Sequence, residues 1–320
     1  MHKFDYSEIA GTVPADLAGL IREISELKSL ECIREDRYGG ELEKVRLEAL
    51  LSSVTCSNRL EGTIAEAGRI RALVLEKAEP SNRDEERIAG YGDALRRVNS
   101  DHNRMGMDPR SIASLHRITM SRGPRMGGGF KPGTEEDIES MTAEYSRARA
   151  GGAEPLFLIP CAIFDLLSIA PFQTGNEGVA RLLTSVLLLN EGFGVCKLFP
   201  MEKRFCADPG EYHKAFAMSS EGWKENDWTY VPFIRFFLET LLRCYEESDR
   251  RFPLDNGRKV KKNDRVLRAV PSDRPASKNE ICSGLPDVSR RTVDATLTKL
   301  VADGKIMKKG TFRDAKYVRV

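Results

Sequence analysis

The 320-residue chain contains no apolar run near the roughly 20 residues a membrane helix needs, so no bilayer-spanning helix is expected. Its opening stretch, MHKFDYSEIAGTVPADLAGL, lacks the apolar centre of a secretion signal. The cysteines, Cys32, Cys56, Cys161, Cys196, Cys206, Cys244 and Cys282, are odd in number, scattered, and never spaced C-x-x-C. That pattern argues against a disulfide framework and leaves reduced thiols in a cytoplasmic protein as the expectation. The histidines, His2, His102, His116 and His213, form no spaced ligand set, so no metal site is expected. There is no internal repeat and no low-complexity tract, which removes repeat architectures.

What is present is an ordinary globular composition, 41% hydrophobic, enough to bury a core across two or three domains. The net charge of +2 is unevenly spread. Residues 255–320 carry 17 Lys and Arg against 8 Asp and Glu, a net of +9, which leaves −7 for residues 1–254. A basic module on a mildly acidic body points either to a polyanionic partner for that end or to a solvated basic surface.

Nearly every patterned segment has helical spacing, so a mainly α fold is expected. In ELEKVRLEALLSSV, residues 41–54, Leu42, Val45, Ala49 and Leu50 fall near one face. Residues 85–99 and 108–120 read as further amphipathic helices, the second with Asp108 as N-cap and Pro109 just inside. SRGPRMGGGFKPG, residues 121–133, breaks the pattern and reads as a loop or irregular hairpin. Residues 155–169 and 179–194 are apolar on almost every side, the mark of buried helices, with Gly192 and Gly194 as stop signals. Residues 233–248 form one more amphipathic helix. PLDNGRKVKKND, residues 253–264, is polar, basic and aperiodic, and marks a domain boundary.

Residues 264–320 read as helix, helix, helix and hairpin. NDRVLRAV supplies the first helix, and SKNEICSGL the second, with Ser277 and Glu280 spaced as a capping box. Ser289 caps the third, whose apolar positions are Val293, Leu297, Leu300 and Val301, and Gly304 ends it. IMKKGTFRDAKYVRV then alternates around Gly310 like a β-hairpin. This is the layout of a winged helix-turn-helix, whose third helix enters the DNA major groove while basic wing residues reach phosphates. Arg290, Arg291 and Thr292 occupy the first turn of that helix, and Lys308, Lys309 and Arg313 lie on the wing. These six are the candidate DNA-binding residues. Winged helices also serve as protein-interaction or dimerisation modules, and the sequence leaves both roles open.

SIAPFQTGNEGVARLL, residues 168–183, links the two buried helices. A glycine turn entering a helix N-terminus makes an anion site, because free N–H groups point outward and the helix dipole favours negative charge. Here Pro171, Phe172, Gly175, Asn176 and Arg181 resemble the Fic-family signature His-Pro-Phe-x-(Asp/Glu)-Gly-Asn-Gly-Arg-x-x-Arg. CSNRLEGT, residues 56–63, is similar to that family's inhibitory motif Ser-x-x-x-Glu-Gly through Ser57, Glu61 and Gly62. Residues 219–241 resemble the Trp-rich segment that follows the Fic core in members ending in a winged helix. The resemblance covers residues 40–320. It implies an all-helical Fic domain of the kind that transfers AMP from ATP to protein hydroxyls. It also implies an N-terminal helical segment with the inhibitory-like motif (1–105), a Fic-like core (106–254), a linker (255–263) and a winged helix-turn-helix (264–320).

Against that signature the reactive positions are changed. Ala170 stands where the family has its catalytic histidine, and a methyl group accepts no proton. Thr174 replaces the Mg²⁺-binding carboxylate with a neutral hydroxyl. Gly178 replaces the first arginine, which offsets phosphate charge. Glu177 replaces the second glycine and sets a negative side chain at the mouth of an anion site. The resemblance further implies that Glu61 pairs with Arg181, either as a buried brace between two helices or as a gate for some smaller anion. The reading is a degenerate Fic protein with no intact catalytic residue, regulating by DNA binding through its winged helix. No cofactor is expected, and ATP and Mg²⁺ enter only if the site retains activity. The alternatives are residual or altered nucleotide transfer to a protein, and a non-catalytic scaffold that holds a partner at the 121–133 loop. A homodimer is compatible with any of these; a membrane partner is not expected.

Overall fold

The computed structural model describes residues 2–6, 14–123, 127–255, 258–310 and 315–320. They form a mainly α protein of two compact units, one of residues 1–28 and 48–244, the other of residues 29–47 and 245–320.

The first unit holds α1 (Ala15–Ser29), the later part of α2 (Glu31–Leu60), α3 (Ala67–Leu75), α4 (Arg83–Asp101), α5 (Pro109–Thr119), α6 (Glu135–Ala150), α7 (Pro155–Ile169), α8 (Asn176–Asn190), α9 (Met201–Ala207), α10 (Pro209–Ser220) and most of α11 (Val231–Arg251). At its centre α7 packs against α6 and α8, and α8 also packs against α4 and α5. Both central helices are buried almost all round, including Leu158, Phe164, Leu182, Leu183 and Leu188, because neither has a polar face to turn to water. Each such side chain contributes about 1.5–3 kcal/mol on leaving water. Local signals set the ends. Asp108 Oδ1 accepts from the Ser111 N–H at 2.9 Å, with Pro109 at the first helical position. Gly192 closes α8 with φ +78°.

One carboxylate interrupts the apolar wall of α7. Asp165 is fully buried and accepts hydrogen bonds from Tyr6 Oη (2.7 Å), Trp223 Nε1 (2.8 Å) and Tyr230 Oη (2.8 Å). Burial pushes its carboxyl up to about 7 in spite of those three donors.

The second unit is built around α12 (Lys262–Ala269), α13 (Lys278–Ser283) and α14 (Arg290–Ala302), with β4 (Ile306–Lys309) and β5 (Lys316–Arg319) paired antiparallel. A further strand, β3 (Ala276–Ser277), pairs with the other side of β5, giving the order β3-β5-β4. Val266, Ile281, Val293, Leu297 and Ile306 meet in its core. The Ser277–Glu280 capping box is formed, and Ser289 Oγ accepts from the Thr292 N–H at 3.1 Å.

The stretch expected as a linker has regular backbone on either side of residues 256–257, which lie outside the described residues. Leu254–Asp255 (β1) pairs antiparallel with Arg258–Lys259 (β2), and α12 starts at Lys262. The reason lies far upstream in the sequence. Tyr38 of α2 donates to the Pro253 carbonyl at 2.6 Å and accepts from the Val260 N–H at 3.1 Å, so this polar backbone has partners. Behind it Arg265 and Asp287 form a bidentate pair at 2.9 and 3.0 Å, both side chains fully buried. The Arg265 guanidinium also lies 5.4 Å from the Tyr38 ring centre and 5.1 Å from that of Phe252.

Candidate functional site

The link between α7 and α8 is a tightly held loop. Ala170 caps α7 in the left-handed region (φ +46°, ψ 63°), a conformation a non-glycine residue seldom adopts. Gly175, with φ +76°, opens α8. Asn176 clasps the loop from below: Oδ1 accepts from the Phe172 N–H and Nδ2 donates to the Phe172 carbonyl, both at 2.8 Å. Phe172 is buried, and the His116 ring stacks on it with centroids 3.8 Å apart. His116 ties three segments together. The Gly128 N–H donates to its Nδ1 at 2.8 Å, so the ring proton sits on Nε2, which donates to the Thr174 carbonyl at 3.2 Å. Burial lowers the pKa of this imidazole, in keeping with a neutral ring that accepts at one nitrogen and donates at the other. Gly127 must lack a side chain here, since a Cβ would lie 2.7 Å from the His116 carbonyl. Of the 121–133 loop, residues 124–126 lie outside the described residues; the Lys131 N–H donates to the Pro171 carbonyl at 2.7 Å.

Arg181 lies one turn further along α8 and is 4% exposed. Its Nε donates to Ser57 Oγ at 2.7 Å and one terminal nitrogen to the Ser57 carbonyl at 3.2 Å. That same nitrogen forms a short ion pair with Glu61, and the other meets Glu177 at 3.2 Å. Burial works against the charge of Arg181, and Glu61, Tyr91, Tyr212 and Glu177 around it together more than offset that, so its pKa is raised. Gly62, next in the motif, takes φ +77° and turns the chain out of α2. The structure therefore joins Ser57, Glu61, Glu177 and Arg181 in one cluster, with Gly178 against Glu61.

A cleft of about 430 Å³ opens beside this cluster. Glu61, Glu177, Ala170 and Leu167 line one part of it, and Tyr212, His213 and Phe216 of α10 another. Thr174 is exposed and lines a separate cavity of about 110 Å³ together with Arg83, Arg87 and Met120. Burial pushes the Tyr212 hydroxyl up to about 12, although Arg181 works the other way. Among the described residues no group of three or more His, Cys, Asp or Glu is placed to hold a metal ion, and no helix is long and apolar enough to cross a membrane.

In the second unit Arg290 donates to Asn279 Oδ1 at 3.0 Å, and Arg291 is exposed. Thr292 takes part in the cap, its Oγ1 2.8 Å from Ser289 Oγ. Lys308 and Lys309 are exposed on β4, while Arg313 lies outside the described residues. A groove of about 520 Å³ is lined by Lys278, Asn279, Arg290, Lys308 and Tyr317.

Sequence reasoning missed His116, Asp165, Tyr212 and His213. Only Asp165 left a signal, a lone charge inside an apolar segment that must find buried donors. The roles of the other three depend on which helices meet.

Helices surrounding a buried helix pair, with a glycine-asparagine loop between the two and a glutamate from a third segment on the arginine behind it, define a Fic-type fold. The comparisons agree. A Fic family protein from Desulfovibrio desulfuricans G20 aligns over 96% of this chain and 97% of that one, at 14% identity and a TM-score of 0.63. A Fic domain containing signaling protein from Bacteroides thetaiotaomicron VPI-5482 aligns over 73% of this chain and 96% of that one, at 16% identity and a TM-score of 0.59. Fic-1 from C. elegans aligns over 72% of each chain, at 18% identity and a TM-score of 0.57. In sequence the chain is 27% identical over 234 residues to the protein adenylyltransferase Fic of Nematostella vectensis, across 66% of this chain. It spans about half the length of that curated relative, 52%. No family model matches the chain. The chain has a Fic-type fold and is similar in sequence to a Fic protein.

Proposed function

We propose that this protein of Fic-type fold does not transfer AMP and acts as a regulator that binds DNA through a winged helix-turn-helix in its second unit. The observation that carries the first half is the wall of the cleft. Ala170 offers a methyl where proton transfer would require a base, and Glu177 and Glu61 occupy the only guanidinium in the cluster. Residues and Mg·ATP do not match here. Thr174 lines a different cavity, and a triphosphate would face two carboxylates. No cofactor is assigned.

The DNA reading is supported by α14, whose first turn leaves Arg291 exposed, and by the basic groove between that turn and β4. Arg290 is pre-oriented by Asn279, which limits the entropy lost when it meets a phosphate or a base edge. The test uses the full chain, because Tyr38 and Phe252 pack on Arg265 and a fragment starting at 264 would strip them away. Fluorescence anisotropy against mixed-sequence duplex DNA at low and moderate salt should show binding that weakens steeply with salt. No binding at low salt would make the module a protein-contact surface instead. Radiolabelled ATP should leave no label on the chain or on added proteins; label there would overturn the non-catalytic half.

A further inference from the structure

The cleft beside Ala170 has a charge pattern of its own. Glu61 and Glu177 line it, with side chains 29% and 42% exposed. Arg181, which among the described residues is the cation that answers both, is 4% exposed and stands behind them. Two carboxylates against one guanidinium leave one negative charge in excess. The N-terminus of α8 adds a positive end worth about half a unit charge, which reduces the excess without reversing it.

The rest of the lining is largely apolar and aromatic. Leu167 and Ala170 form one apolar surface, and Phe216 and Tyr212 present rings from α10, with His213 beside them. An aromatic face next to a carboxylate is the pairing that holds organic ammonium ions. The volume, about 430 Å³, falls in the range of small-ligand sites.

We propose that this cleft binds a small aromatic amine. The ring of the ligand packs between Phe216 and the Leu167–Ala170 surface, and its ammonium group meets Glu177. The methyl of Ala170 leaves room for that ring. No covalent step is involved. The inference is independent of DNA binding, which belongs to the other unit.

The test is calorimetric titration of the full chain with tryptamine and, separately, with indole-3-acetate, which keeps the ring and reverses the charge. Tryptamine should bind, and indole-3-acetate should bind about tenfold more weakly or not at all, since a like charge beside Glu177 is penalised. Glu177→Gln should weaken tryptamine several-fold and narrow the difference between the two ligands. Because Glu177 is half exposed, this variant should melt within a few degrees of the parent, and that melt checks the fold. Equal binding of the two indoles, binding of neither, or tryptamine affinity unchanged in a folded Glu177→Gln variant would each overturn the proposal.

Discussion

Gly178 and Glu61 are fitted to each other: a Cβ at 178 would lie 3.0 Å from Glu61 Oε1. Because nothing projects from 178, the Glu61 carboxylate reaches past it to Arg181. The glycine at 178 and the ion pair are therefore one packing arrangement. Glu61→Ala should destabilise the chain by about 2 kcal/mol, the range for a hydrogen bond to a charged group, because Arg181 keeps Ser57 and Glu177. Chemical denaturation followed by circular dichroism measures this. An unchanged midpoint would mean that Ser57 and Glu177 suffice.

Ala170 holds a left-handed conformation at the end of α7. An L-residue there carries about 1–2 kcal/mol of strain, while glycine adds about 0.4–1 kcal/mol of entropy to the unfolded chain. Ala170→Gly should therefore stabilise the first unit by about 0.5–1 kcal/mol. A fall in melting temperature would show that the strain is relieved in some other way.

Two buried groups give opposite pH slopes. His116 has a lowered pKa from burial, so its contribution is complete above its unfolded value, about 6.5, and is lost as pH falls through the lower folded value. Protonation would also set a donor at Nδ1 against the Gly128 N–H. Asp165 is pushed up to about 7, so its contribution is complete below about 3.9 and is lost as pH rises through 7. Melting curves from pH 4 to 8 should lose the acid-side decline in His116→Gln and the decline toward neutral pH in Asp165→Asn. Identical pH profiles for parent and variants would refute both assignments.

Arg265 and Asp287 share a fully buried bidentate pair. Removing one partner strands the other charge, so Asp287→Ala should cost about 3–5 kcal/mol, whereas replacing both with Met and Leu should recover most of it. A double-mutant cycle by urea unfolding checks the coupling.

Arg291→Ala should weaken specific DNA binding by about 1–3 kcal/mol and blur discrimination at one base position. Lys308→Ala should weaken all duplexes alike and reduce the salt slope by about 1. Anisotropy titrations at several salt concentrations separate the two outcomes.

The sequence by itself determined whatever depends on neighbours along the chain. α7 and α8 are buried because they are apolar all round. α5, α13 and α14 begin where Asp108, Ser277 and Ser289 can cap them, and Val293, Leu297 and Leu300 share one face through helical periodicity. Only the tertiary structure decided what depends on residues far apart. Glu61 and Arg181 lie 120 positions apart, and the sequence offers their pairing only through the family resemblance; His116 meets Thr174 across 58 with no such hint. Tyr38 holds the Val260 N–H, inside an apparent linker, from 222 positions away. Composition at 253–264 carries no trace of that partner. Thr292, a candidate DNA contact, also joins the cap of its own helix, its Oγ1 2.8 Å from Ser289 Oγ. Periodicity and capping are energies of one turn, readable in sequence. Which helices meet is set by how whole faces pack, and that packing placed a histidine, a phenylalanine and two glutamates around one loop.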